Sequence, residues 1–525
     1  MSAQTPTLDP VRQREGRRDL AIVARGGVLN LVGLVGAAVF NGVLVVVVAR
    51  SLPRGDVGLF FEAVAFFNIA SSIALWGADV GVVRQVPRLR VLERARDVRR
   101  TVQLAIGTVF GVGLVFAAVV EVWARPIATL LVHRGHPQEL AVVLRILAPF
   151  LPIAAAYTVA VAATRGFGTM RVSALVDRLG LSAAQPLFVL AVLAAGVGVA
   201  GVSLAWVAPT LVTATIAVLW LRRLMRRAHA DTAPGPAEPR TRALFVEFWR
   251  FAAPRGLAGV FAVTVLWLDT LLLGALRSSH AAGVYAAATR YLTIGTFAAL
   301  AITQVVGPKL SELLSARRRD RARDVYATGT AWSMALAWPV FWTMIVFAPV
   351  LLSVFGRGFG SAQAVLVILG ASMLVATATG PVDVVLLMGG RSAWNLFNTV
   401  VAVVANVGLN LLLIPRLGMT GAAIAWGASI LANNLLPLIE VRVLLGLHPF
   451  GRGAAIVATA ATACFGVIPF LARMAFGTSF GGFAIAEGVG GLLYLAVLRR
   501  ERDRVHLGLL WASLRERHGP RVRTA

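Results

Sequence analysis

Apolar runs of about 20 residues recur from one end of the chain to the other, separated by short polar turns. At ~1.5 Å of helical rise per residue, such a run crosses the ~30 Å hydrocarbon core of a bilayer. The runs do not alternate with period two, so they are not the strands of a membrane barrel. Fourteen spans are predicted, near 26–49, 57–82, 101–123, 139–162, 172–195, 201–221, 247–276, 281–306, 326–352, 362–388, 393–414, 420–441, 454–476 and 480–498. They are called spans 1 to 14 below. The longer polar stretches are 1–25, 84–100, 222–250, 307–324 and 499–525, none large enough to fold as a soluble domain. The pattern predicts an all-α polytopic membrane protein with 14 transmembrane helices.

Composition agrees with the pattern. The 525-residue chain is 58% apolar and 14% charged, against ~45–50% and ~25% for soluble proteins. Its net charge of +26 raises the question of nucleic acid. The basic residues, however, lie in short loops between apolar spans, where they set orientation and meet anionic membrane lipid. No nucleic-acid partner is expected. Counting Lys and Arg loop by loop gives 38 on one side, 8 on the other and four within spans. That asymmetry places both termini in the cytoplasm of a multi-pass protein of the cell membrane. The first apolar run reaches Val48, longer than a signal-peptide core, and reads as a retained helix. The single cysteine, Cys464, excludes a disulfide framework or a cysteine metal site.

The chain also repeats. Gly58-Leu59-Phe60 opens span 2 and Gly283-Val284-Tyr285 opens span 8, an offset of 225. The run from Val143 to Leu147 is echoed from Val365 to Leu369, and the run from Gly201 to Trp206 from Gly421 to Trp426. The repeat unit holds an even number of spans, six, so the two halves are parallel and related by an axis along the membrane normal. The expected organisation is a cytoplasmic arm (1–25), a first six-helix lobe (26–223), a cytoplasmic linker (224–246), a second six-helix lobe (247–446), two accessory helices (453–498) and a basic cytoplasmic tail (499–525). Two lobes that enclose a midplane site and rock about it are the layout of alternating access.

The candidate chemistry centres on 254–309, the hairpin of spans 7 and 8. Arg255, Asp269 and Arg290 lie inside its apolar runs. A charge at membrane depth costs at least ~2.5 kcal/mol, so it faces a cavity or a partner. Arg255 and Asp269 share a face, at a spacing of about four turns. Asp269 and Arg290 lie at similar depth and can meet across the hairpin. They are either a structural ion pair or a cavity-facing pair open to an anionic substrate or a proton. Arginine suits phosphate because its planar fork donates two parallel hydrogen bonds. In the first lobe Glu62 lacks an evident partner, Arg25 enters span 1 from the cytoplasmic side, and Asn41 adds an amide to that span. Asp177 and Arg178 are adjacent in span 5 and point to different faces. Span 11 carries Asn395, Asn398, Asn406 and Asn410 in face-sharing pairs, which bond helices together or hydrogen-bond sugar hydroxyls. No Walker A, HExxH or paired-cysteine motif occurs, so neither enzyme activity nor a metal or other cofactor is expected.

Residues 49–84 resemble the opening of the polysaccharide flippases in the multidrug/oligosaccharidyl-lipid/polysaccharide exporter superfamily. Residues 248–290 resemble the start of their second lobe, with its proline, its Asp-x-x-apolar-apolar-Gly run and its Gly-x-Tyr turn. Residues 355–370 and 406–426 are similar to their C-terminal signature. The resemblance implies two six-helix lobes in a V with two accessory helices. It implies movement of a polyprenyl-pyrophosphate-linked oligosaccharide to the outer leaflet, with Arg255 and Arg290 best matching the family's cavity arginines. Polymerase and glycosyltransferases of the same pathway are the implied partners. The multidrug branch commonly carries an acidic residue in span 1, and this span 1 has none. A cation-coupled drug exporter of the same fold is the first alternative. A membrane glycosyltransferase or polymerase is the second, although no long exterior loop exists to house its site.

Overall fold

The computed structural model describes residues 33–92, 94–132, 136–230 and 241–505. Arg25, the rest of the N-terminal arm and most of the basic tail lie outside the described residues. Within them the chain is all helix and turn, without strands. Thirteen helices are long and apolar enough to cross a membrane, and each coincides with a predicted span. The protein is therefore a multi-pass membrane protein. Span 8 is the exception to the count. It is built from two helices, Ser279–Thr289 and Leu292–Ser315, that break at Arg290 and Tyr291. Its second half carries Thr293, Thr296, Thr303 and Lys309, which dilute its apolar character.

Several helices overrun the predicted bilayer limits. The helix of span 3, Ala95–Leu131, has 37 residues and bends at Trp123, where φ/ψ leave the helical region. Pro126 explains the bend, because a proline ring crowds the carbonyl four residues back. The expected linker at 224–246 is shorter than predicted. Helices Pro209–Ala230 and Thr241–Leu276 run into it from both sides. Arg, Leu, Ala and Glu dominate those ends, and all are good helix formers outside the membrane as well as in it.

Span 2 breaks at its C-terminal end. Helix Arg54–Leu75 stops at Trp76 (φ 39°) and Gly77 (φ 77°), then Ala78–Val91 continues. Gly77 serves two needs at once. Its φ is left-handed, and its missing side chain lets span 7 approach until Ala252 and Gly256 touch its backbone. At the opposite end of span 2, Gly58 packs backbone to backbone on Ser279 and Gly283 of span 8.

That second contact locates the symmetry of the molecule. Gly58 and Gly283 are repeat equivalents, and here they touch each other. A residue meets its own equivalent only where the axis relating the two lobes passes. A second pair of contacts confirms the repeat. Asn41 Nδ2 donates to Ser182 Oγ at 3.4 Å, tying span 1 to span 5. Asn410 Nδ2 donates to Asp269 Oδ1 at 2.7 Å, tying span 11 to span 7. Both pairs are 141 residues apart, and the second lies 228 positions after the first.

The packing follows the lobes. The largest apolar core draws on both, joining Phe60, Leu140 and Leu144 of the first to Tyr285, Phe341 and Leu369 of the second. A separate core holds spans 2, 3, 4 and 6 against Phe248 and Ala252 of span 7. A third joins spans 9 and 10 to the accessory helices through Tyr326, Phe465 and Tyr494. Span 7 thus leans on the first lobe at one end and on span 11 at the other.

Candidate substrate site between the lobes

The structure separates the three hairpin charges. Arg290 sits at the break of span 8, and its guanidinium carbon lies 4.5 Å from the Trp267 ring centre and 5.6 Å from that of Phe61. Trp267 belongs to span 7 and Phe61 to span 2, so the cation is held where the lobes meet. Its Nε is buried without a hydrogen-bond partner. Aromatic faces attract a guanidinium electrostatically but leave its in-plane N–H donors unspent. Those donors remain free for an anion.

Asp269 does not pair with Arg290. Its carboxylate is 3% exposed and accepts from Tyr285 Oη at 2.9 Å and from Asn410 Nδ2 at 2.7 Å. Asp269 turns toward span 11 while Arg290 turns toward span 2. Asn406 is fully buried beside this knot with both side-chain polar atoms unpartnered, as is Asn410 Oδ1. Arg255 lies elsewhere again. Its guanidinium is 5.3 Å from the Phe251 ring, and Arg84 of the helix after the span 2 break is 3.9 Å from the same ring. Fourteen residues of helix, roughly 21 Å at ~1.5 Å each, separate Arg255 from Asp269.

Glu62 is fully buried rather than open to a cavity. Its Oε2 accepts from Ser279 Oγ at 3.2 Å across the lobe interface, and its Oε1 has no partner against the bare backbone of Gly274. Around it the lobes are stitched at the end where the loop after span 1 meets the loop after span 9. Arg50 Nε donates to Val354 O at 2.7 Å, and Arg54 Nη2 to Arg357 O at 2.8 Å. In the turn between spans 7 and 8, desolvation and the nearby Arg54 charge hold His280 below its usual pKa. At the other end Arg88 pairs with Glu247, again between a first-lobe helix and span 7.

The remaining candidates lie apart from this interface. Asn41 donates to Ala37 O and Ser182 Oγ, a seam within the first lobe. Asn398 is fully buried and donates to Glu440 Oε2 at 2.6 Å, clamping span 11 to span 12. Asp177 accepts from Tyr157 Oη at 3.0 Å, in a stretch wound as a π-helix. Trp267, Phe61 and Glu440 were not singled out from the sequence, and Tyr285 was marked there only as part of the repeat and of the Gly-x-Tyr turn. The apolar-aromatic character of Trp267, Phe61 and Tyr285 hides them among many similar residues. Glu440 stands at the end of its span, where an acid reads as a loop residue.

With this geometry in place, comparison gives the family. A sequence profile described as polysaccharide biosynthesis protein matches residues 23–314, more than half of the chain, which therefore belongs to that family. Among curated proteins it is similar to the probable low-salt glycan biosynthesis flippase Agl15 of Haloferax volcanii, 28% identical over 209 residues. It is also similar to the probable flippase AglR of the same organism, 27% identical over 212 residues. These matches span 38% and 39% of the chain and only 42% and 43% of the two relatives. Among solved structures, the lipid II flippase MurJ in an inward closed conformation superposes with a TM-score of 0.73 at 13% identity. It covers 91% of this chain and 100% of that one. An inward-facing multidrug resistance MATE transporter of the MOP superfamily gives 0.60 at 17% identity, over 81% of this chain and 95% of that one. The fold is that of the MOP superfamily.

Proposed function

We propose that the protein is a flippase of the cytoplasmic membrane that carries a polyprenyl-pyrophosphate-linked oligosaccharide from the inner to the outer leaflet. The observation that carries the reading is Arg290. It is a guanidinium at membrane depth, at the lobe interface, braced by two aromatic rings and with a buried donor unspent. A buried cation without an anion is costly unless an anion arrives. Pyrophosphate supplies one in the geometry a guanidinium fork prefers. The names of the relatives, probable flippases in glycan biosynthesis, support the same reading. So does span 1, which carries no acidic residue.

The mechanism is alternating access. Both termini face the cytoplasm, and the lobes (26–223 and 247–446) rock about the contact of Gly58 with Gly283. The accessory helices (453–498) pack on the second lobe. Arg255 and Arg84 flank Phe251 at the cytoplasmic end, where they attract the pyrophosphate before it reaches Arg290. The amides and Glu62 meet the sugars as the lobes part, and the lipid tail stays in the bilayer. Polymerase and glycosyltransferases of the same pathway are the fitting partners. Flipping of labelled lipid-linked oligosaccharide in proteoliposomes tests the proposal, with efflux of a cationic dye as the contrast. Arg290→Ala is expected to abolish flipping and Arg290→Lys to restore only part of it, since lysine lacks the fork. Dye efflux without glycolipid flipping would instead establish a drug exporter.

A further inference from the structure

The cytoplasmic end of the second lobe holds a cavity that the transport cycle does not use. Its volume is about 570 Å³, and its walls come from four places: Val306 at the end of span 8, the start of span 9, the start of span 13 and the segment after span 14. That last segment is seated firmly. Val505 is 1% exposed and its carbonyl accepts from Trp332 Nε1 at 3.0 Å. The Arg504 carbonyl lies against Gly453, where any side chain would displace it. The chain thus folds back under the lobe and closes one side of the cavity.

The lining is apolar at its base, with Val306, Ala331 and Trp332, and charged at its rim. Asp324 and Arg452 both line it, and among the described residues neither has an ion-pair partner, including each other. The other rim charges are already leaning on neighbours: Arg504 on Glu501 at 2.9 Å and Asp503 on Arg502 at 3.7 Å. Among the described residues, one anion and one cation without an ion-pair partner on the same cavity match a ligand that carries both signs.

We propose that this cavity binds the headgroup of a phosphoethanolamine phospholipid from the adjacent leaflet. The phosphate meets Arg452, and the ammonium meets Asp324. The volume lies within the ~300–1,000 Å³ of small-molecule sites, and the apolar base takes the first methylenes of the acyl chains. The ammonium has three N–H donors for a carboxylate, whereas a choline has none. The glycerol of a phosphatidylglycerol headgroup offers Asp324 hydroxyl donors but no positive charge to neutralise it. Only the identity of the leaflet rests on the orientation proposed above.

The test is native mass spectrometry of the full chain in detergent. Phosphatidylethanolamine, phosphatidylglycerol and phosphatidylcholine of equal acyl length are supplied at equal concentration. Retention of the ethanolamine lipid is expected to exceed that of the other two by about tenfold, and that preference is expected to vanish in Asp324→Asn and in Arg452→Gln. Both positions are exposed, and an unchanged size-exclusion profile and unfolding temperature confirm that the fold is kept. Equal retention of the three lipids, or a preference that survives both substitutions, would overturn the proposal. Soluble glycerophosphoethanolamine is expected not to compete at equal concentration; if it does, the lipid source is wrong. None of these readouts depends on glycolipid transport.

Discussion

Two of the buried acids of this protein, Glu62 and Asp269, are held by residues far from them in sequence. Asp269 illustrates the point: one of its bonds comes from Tyr285 in the next span and one from Asn410, 141 residues away. A carboxylate in a low-dielectric interior depends on such donors. Asn410→Ala removes one and is expected to cost about 1–3 kcal/mol, read as a lowered unfolding temperature in detergent. Tyr285→Phe should cost a similar amount and, because it leaves the ring in place, should leave the packing intact. The residue types were legible in the sequence, since a charge or amide inside an apolar run stands out. Their partners were not. Counting residues predicts similar depth for Asp269 and Arg290, yet the rotation of each helix about its own axis points one at span 11 and the other at span 2. Depth follows from counting residues; azimuth follows from packing.

At the scale of elements, two close approaches set how the helices stack. Gly58 lets spans 2 and 8 touch at one end of span 2, and Gly77 lets spans 2 and 7 touch at the other. Gly58→Val is expected to force spans 2 and 8 apart and to cost about 1–3 kcal/mol through overpacking. Arg50 Nε reaches Val354 O at 2.7 Å, and with cysteines at these two positions the yield of cross-linking by a bis-thiol reagent as long as the arginine side chain should fall in the valine variant. An unchanged yield would show that this end closes without the glycine contact. Gly77→Ala faces both a left-handed φ and a crowded neighbour, so a stability loss is expected there too. Span positions were legible because the bilayer imposes a length and an apolar composition on every crossing. Span ends were not, because a helix does not stop where the membrane does. The break of span 8 at Arg290 was also hidden, as neither proline nor glycine marks it.

For the whole molecule, the proposed alternating-access cycle requires the lobe contacts at one end to part while those at the other hold. Arg54→Cys with Arg357→Cys, bridged by a reducible bis-thiol linker that replaces the length of the Arg54 side chain, locks the end where Arg54 Nη2 reaches Arg357 O at 2.8 Å. Arg88→Cys with Glu247→Cys, bridged by a linker of the same kind in place of the two long side chains, locks the opposite end. The only native cysteine, Cys464, is buried, so background cross-linking should be low. Each lock is expected to abolish glycolipid flipping and a reductant to restore it. Full transport with both locks closed would rule out rocking.

By itself the sequence determined that the chain crosses the membrane many times, that it is built as a repeated six-span unit, and which charges lie at membrane depth. These follow from one-dimensional constraints: the thickness of the bilayer, the charge of the loops and the spacing of glycines. Only the tertiary structure decided that Arg290 stands between aromatic rings, that Asp269 belongs to span 11, that Glu62 is buried at the seam, and that the chain after span 14 closes a cavity beneath span 9. Each of these depends on how helices distant in sequence turn and dock against one another, which is set by three-dimensional packing and leaves no periodic trace along the chain.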